Sequence, residues 1–249
     1  MRIFNVVLTL FVVFLIGCAE NSTFSQKSEK ELILTFDDFP CQVEEDPKVQ
    51  NEINQKILNA LGKHKTHGIV FVNSKPIFSD GQQDARIETL RLWLKEGHVA
   101  GNHTFSHPFL SKSSIHDYEI DIIAGEPILK KLLTEFNQEL KYFRYPYLDS
   151  GKNESKKIIK KFLKSRGYEV AHVSIDSMDY LFNKRLNKGD KKARSEYIEY
   201  VTDVLKKNIE VSPKFWGKHI MLFHVNKMTA DCLDEIITIA ENIGYKLSK

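Results

Sequence analysis

ELILTFDDFP, residues 31–40, is the stretch on which the fold turns: an apolar run, residues 32–36, stops at two adjacent carboxylates and a proline. A run of that length ending in a turn signal reads as a buried strand. Just beyond it Val49, Ile53, Ile57 and Leu61 recur every four residues, one apolar stripe on a helix that starts near Asp46 and Pro47. The alternation then continues. Residues 69–72 form a second strand, Ile87, Leu90 and Leu94 mark a helix, and 98–101 is a short third strand. One helix is expected over 115–140, a fourth strand over 142–144, a helix through 158–163 and a fifth strand over 169–174. Helical spacing returns at Ile198, Val201 and Leu205, followed by a strand at 220–223, a helix carrying Leu233, Ile236 and Ala240, and a strand at 245–247. Strands alternating with helices specify a parallel sheet, and seven of them predict an α/β barrel one unit short of the usual eight. Periodicity alone leaves an open doubly wound sheet as the alternative.

The segment before the first strand has a different character. Arg2 precedes residues 6–16, eleven residues in which Thr9 alone is polar, and the run ends at Gly17 and Cys18. It is too short to span a bilayer and reads as a secretory signal. Its last residues, Leu15, Ile16, Gly17 and Cys18, resemble the lipobox of bacterial lipoproteins, which implies a lipid on Cys18, export, and attachment to a membrane of the cell envelope. Residues 20–30 contain a single apolar residue, Phe24, and read as a flexible tether. A chain of that length has an end-to-end distance of about 18 Å. The expected organisation is a signal over 1–17, a tether over 18–30 and one domain over 31–249.

Composition agrees with a single large core. Of 249 residues 42% are hydrophobic and 28% charged, which excludes collagen-like, disulfide-scaffold and disordered classes. The excess of 36 Lys+Arg over 33 Asp+Glu is only +3, too small and too dispersed to make nucleic acid the expected partner. The basic stretch 183–195 reads as a solvated loop. Cys41 and Cys232 are compatible with either a disulfide or free thiols, and nothing in the sequence sets the oligomeric state.

In βα proteins the site forms at the carboxyl ends of the strands, so the polar residues that end apolar runs matter most. Asp37 and Asp38 end the first run. His103 and His107 follow the third, four residues apart, a spacing at which two imidazoles can meet one ion. Arg144 ends the fourth and can clamp a carboxylate. His224 ends the run at 220–223, where it can serve as an acid or base, and Asp179 is a residue that could hold it.

Taken in order, these stretches resemble the five motifs of the NodB-type polysaccharide deacetylases, carbohydrate esterase family 4, over nearly all of the chain after the tether. Residues 35–40 match the first motif with Phe39 in place of Gly. His103, His107 and Pro108 match the second, and Arg144, Pro146 and Tyr147 the third. Asp179 and Tyr180 match the fourth with Tyr in place of Trp, and Leu222 with His224 matches the fifth. The resemblance implies a distorted (β/α)7 barrel holding one divalent metal, usually zinc, with cobalt, manganese and nickel as alternatives, on Asp38, His103 and His107. It implies Asp37 as general base and His224 as the acid that protonates the leaving amine. Arg144 would orient Asp37, Asp179 would hold His224, the backbone N–H of Tyr147 would help stabilise the oxyanion, and Leu222 would line the acetyl-methyl pocket. Tyr180 would wall the site near the acid, and Phe39 is expected to narrow the groove beside the carboxylates. The implied substrate is an acetylated amino-sugar polymer of the envelope.

Other classes compete less well. Two His and a carboxylate also describe a non-haem iron oxygenase site, but that chemistry gives no joint role to Asp37, Arg144 and His224. A sugar-binding lipoprotein that keeps the fold without turnover is the second alternative. No Gly-x-Ser-x-Gly, Walker A or Gly-x-Gly-x-x-Gly occurs.

Overall fold

The computed structural model describes residues 30–213 and 216–248; the expected signal segment, Cys18 and the tether before Lys30 lie outside the described residues. Strand β1 (Lys30–Phe39) lies near the middle of the sheet. It is followed by α1 (Pro47–Lys63), β2 (Gly68–Val72), α2 (Gln83–Lys95), β3 (Val99–Asn102), α3 (Ile115–Ala124), α4 (Glu126–Glu135) and β4 (Tyr142–Phe143). Then come α5 (Asn153–Ser165), β5 (Glu169–Val170), β6 (Ile175–Asp176), α6 (Asp179–Asn187), α7 (Ala193–Asn208), β7 (His219–His224), α8 (Lys227–Ile243) and β8 (Tyr245–Leu247). All pairings are parallel, in the order β5-β4-β3-β2-β1-β7-β6, with β8 joined to the start of β1. The result is the curled half-barrel with outer helices that the alternation predicts.

The two faces of the sheet follow from period-2 geometry. On β1, Leu32, Leu34 and Phe36 turn outward into the main core with Ile57, Leu61, Trp93, Phe223 and Leu233, whereas Thr35 and Asp37 alternate with them and face the lumen. On β7, Met221 and Phe223 belong to the same core, which leaves Leu222 and His224 on the inner side. The lumen itself is packed by a small cluster around Ile69, Phe71 and Ala171.

Four expectations need correction. The strand expected at 169–174 is two strands. Glu169–Val170 pairs with β4 and Ile175–Asp176 with β7, so four residues carry the chain from one sheet edge to the other, across a gap that no ladder spans. The helix expected at 115–140 breaks at Gly125, because Pro127 starts a new helix and Gly125 lies against the loop after β3. A Cβ there would stand 2.7 Å from Asn102 Oδ1 and 3.1 Å from the Thr104 backbone, so the close approach requires glycine. The basic loop at 183–195 is mostly helix, with only 188–192 between α6 and α7. Helix α6 fully buries only Asp179 and Asn183, and the apolar residues it packs on the core, Phe182 and Leu186, are a single pair rather than a stripe. Phe39, expected beside the groove, is fully buried in the main core and leaves the carboxylates unobstructed. Cys41 and Cys232 are both buried free thiols.

Candidate active site

Register brings the motif residues to one rim. Asp37 stands beside His224 in the β1–β7 ladder, and Val72, Asn102 and Phe143 form one row across β2, β3 and β4. The residues that follow, His103 and Arg144, therefore emerge together. Between Phe36 and Phe39 the β1–β2 register slips, three steps on β1 against two on β2. This bulge contains Asp37 and Asp38, and Asp38 sits at φ 65, in the left-handed region. Adjacent side chains on a regular strand face opposite ways; a bulge re-aims one of them. Both carboxylates consequently reach the same site.

Asp38, His103 and His107 offer ligand atoms that all lie within 4.8 Å of one another. Asp38 Oδ1 is 3.5 Å from His103 Nε2 and 3.2 Å from His107 Nε2, and it is buried without a hydrogen-bond partner. His103 is buried, and its Nδ1 donates to the Arg144 carbonyl at 2.8 Å. A carbonyl only accepts, so Nδ1 carries a hydrogen, and Nε2 is the ring nitrogen turned toward Asp38 for an ion to bind. The His107 imidazole is pushed down to about 4, by burial first and by His103 among its neighbours, against the upward pull of Asp38, so at neutral pH it also offers a lone pair. One carboxylate and two imidazoles, with an orphaned buried oxygen between them, are a donor set that a divalent cation fits.

On one side of this trio Arg144, fully buried, donates from Nη1 to Asp37 Oδ1 at 3.0 Å and to Thr35 Oγ1 at 2.6 Å, and from Nε to the Ala171 carbonyl at 3.1 Å. Its guanidinium stacks over Phe71 at 4.4 Å. Thr35 donates in turn to the Met221 carbonyl at 2.8 Å. Asp37 is thereby held from one oxygen, with Oδ2 directed at His103, 3.7 Å from Nε2. On the other side Asp179, also fully buried, accepts from His224 Nδ1, the His224 backbone N–H, Asn226 Nδ2 and Thr229 Oγ1 at 2.7, 2.7, 2.8 and 2.6 Å. Burial by itself would raise the Asp179 carboxyl, but His224 and these donors hold it below the usual range. Burial would likewise lower His224. The charge and hydrogen bond of Asp179, with Asp38 and Asp37 beyond, instead push it up to about 10.

The remaining expected residues complete the rim. Tyr147, at φ 57, stacks on Phe109 with ring centroids 3.6 Å apart and lies 4.3 Å from the His107 ring. Tyr180 meets His224 edge-on at 5.5 Å. Leu222 is buried on the inner side of β7, two residues below His224. The residues that buttress the site were not anticipated. Asn102 bridges Thr104 N, the Ile122 carbonyl and Tyr168 Oη, Asn73 Nδ2 donates to the His103 carbonyl, and Asp121 accepts from the backbone of Phe105 and Ser106. Only Asn102 carried a sequence signal, its place directly before His103 at a strand end.

The family description "Polysaccharide deacetylase" matches residues 25–171, more than half of the chain, and the chain belongs to that family. It is 29% identical over 153 residues to a peptidoglycan-N-acetylglucosamine deacetylase of Bacillus cereus, covering 61% of this chain and 47% of the relative. It is 25% identical over 217 residues to the peptidoglycan-N-acetylmuramic acid deacetylase PdaA of Bacillus subtilis, covering 87% and 68%. The chain thus spans about half to two thirds of the length of these relatives. Among solved structures, a CE4-family pseudoenzyme from Bacillus anthracis superposes with a TM-score of 0.62 at 17% identity, covering 89% of this chain and 64% of that one. Family membership and fold are therefore compatible with either turnover or its loss, and the residues at the rim must decide.

Proposed function

We propose that this protein is a metal-dependent hydrolase that removes N-acetyl groups from N-acetylglucosamine-type residues of a cell-envelope polysaccharide, exported and held at a membrane through a lipid on Cys18. The observation that carries the reading is the buried Asp38 Oδ1, without a hydrogen-bond partner and 3.2 and 3.5 Å from two imidazole nitrogens, flanked by an arginine-held aspartate and an aspartate-held histidine. Among the described residues no helix is long and apolar enough to cross a membrane.

Asp38, His103 and His107 would hold the divalent ion, for which zinc suits the N/O donors. When bound it supplies Lewis acidity toward an acetamide carbonyl and lowers the pKa of a water. The chain's own groups do the rest. Asp37, fixed through Oδ1 by Arg144, takes the proton of the attacking water. The tetrahedral oxyanion develops beside the backbone N–H of Tyr147. His224, protonated because Asp179 raises its pKa, then gives its proton to the departing amine as the C–N bond breaks, leaving acetate and a free amino sugar. Leu222 sits below His224 to accept the acetyl methyl. An oxygenase reading leaves the Asp37–Arg144 and His224–Asp179 pairs without work to do.

The test is acetate release by zinc-loaded protein from N-acetylglucosamine oligomers and from peptidoglycan. Acetate in proportion to new free amines is expected. Absence of acetate from every acetylated sugar, with iron-dependent oxygen uptake in its place, would overturn the assignment.

A further inference from the structure

The two imidazoles that would hold the ion are steadied in different ways. His103 is held from behind, its Nδ1 donating to the Arg144 carbonyl at 2.8 Å, the usual support of a metal-ligating histidine. Among the described residues His107 has no hydrogen bond of that kind. Its backbone N–H donates to Thr104 Oγ1 at 3.1 Å, and its ring rests against Tyr147 with centroids 4.3 Å apart. Tyr147 is in turn stacked on Phe109, centroids 3.6 Å apart and planes 2° from parallel, and Lys112 Nζ lies over the Phe109 ring at 4.2 Å.

This stack belongs to a seam between two loops. The loop after β3 carries His107 and Phe109, and the loop after β4 carries Tyr147. Along the same seam the Ser111 N–H donates to Asp149 Oδ2 at 2.7 Å, and a Cβ on Gly151 would stand 2.9 Å from the Leu110 side chain. The backbone on both sides is left-handed at residues that carry side chains, with φ 61 at His107, 57 at Tyr147 and 54 at Leu148. Such conformations persist only where the surroundings over-determine them. Two flat rings in contact fix each other's tilt, which an aliphatic side chain of similar bulk does not.

We infer that Phe109 is a positioning residue: through its stack on Tyr147 it sets together the His107 imidazole and the Tyr147 backbone N–H, the metal-holding group and the oxyanion donor. The oxyanion half of the inference rests on the deacetylase reading; the hold on His107 stands without it.

The test compares the full-length protein with Phe109→Leu, which keeps apolar bulk and loses the flat face, and Phe109→Tyr, which restores it. Folding is checked by thermal melting, zinc affinity by competition with a chelator, and turnover with an N-acetylglucosamine tetramer. Phe109→Leu should weaken zinc binding about tenfold and lower kcat about 10- to 100-fold with KM little changed, the range for losing the support behind a ligand and for slight misplacement of a reacting group. Phe109→Tyr should regain both. A loss confined to the melting temperature, a folded Phe109→Leu protein that keeps either its zinc affinity or its kcat, or a Phe109→Tyr protein no better than Phe109→Leu would refute the role. Should Phe109→Leu not fold, Asp149→Ala opens the same seam from the facing loop and carries the same expectations. If the wild-type protein releases no acetate from any acetylated sugar, the deacetylase reading falls, and the zinc titrations still decide whether Phe109 holds His107.

Discussion

Two strands of this barrel carry a histidine at each end, and the two ends differ completely. His98 and His103 flank β3, and β7 runs from His219 to His224. At the rim His103 donates from Nδ1 to a carbonyl and His224 is locked to Asp179, with Asp37 and Asp38 close by. At the base His98 accepts from the Gly68 N–H at Nδ1 and its buried Nε2 has no partner, while burial lowers His219 against the pull of a backbone contact at Val211. The consequence is a divergence in proton affinity: burial, and then His67, lower His98 to about 4, whereas His224 rises to about 10. Burial of a histidine does not make it functional; the carboxylate beside it does.

The contrast breaks most visibly at Asp37. Asp37→Asn should cut acetate release about 10²- to 10⁴-fold, the usual worth of a general base, while zinc measured by elemental analysis stays near one per chain. A variant that kept its rate would place the base elsewhere. Next comes the metal itself. His107→Ala should weaken zinc binding by more than about a hundredfold, beyond the cost of losing an outer partner, whereas His98→Asn at the other end of β3 should leave zinc titrations unchanged.

Smaller effects concern pH and have opposite signs at the two ends. His224 binds its proton more tightly when folded, so the stability it contributes is complete below 6.5 and is lost as pH rises toward about 10. Urea unfolding of the chelator-treated protein should show that decline, and His224→Gln should flatten it. His98 resists its proton when folded, so its contribution is complete above 6.5 and is lost as pH falls toward about 4. His98→Asn, which keeps an acceptor for the Gly68 N–H, should flatten the acid side alone. Identical pH profiles for the two variants would remove the distinction between rim and base.

The ten described residues singled out from the sequence for the site, from Asp37 to His224, do converge on one rim, because polar groups that end apolar strands have nowhere else to go in a parallel barrel. What escaped reading was backbone geometry. The bulge that turns Asp38 toward His107, the break at Gly125 that seats Thr104, and the passage from β5 to β6 all depend on partners more than ten residues away. The polar holders Asn73, Asp121 and Thr229 have no periodicity and show their purpose only when the backbone they grip is in place.

The alternation of strands and helices and the chemical types gathered at the strand ends were written in the sequence, because hydrophobic period and residue type are local properties. The tertiary structure decided which nitrogen of His103 faces Asp38, that Phe39 turns into the core, and which histidine holds a proton near neutrality. Each of those depends on distance between residues remote along the chain, and electrostatics and hydrogen bonding act over distance in space.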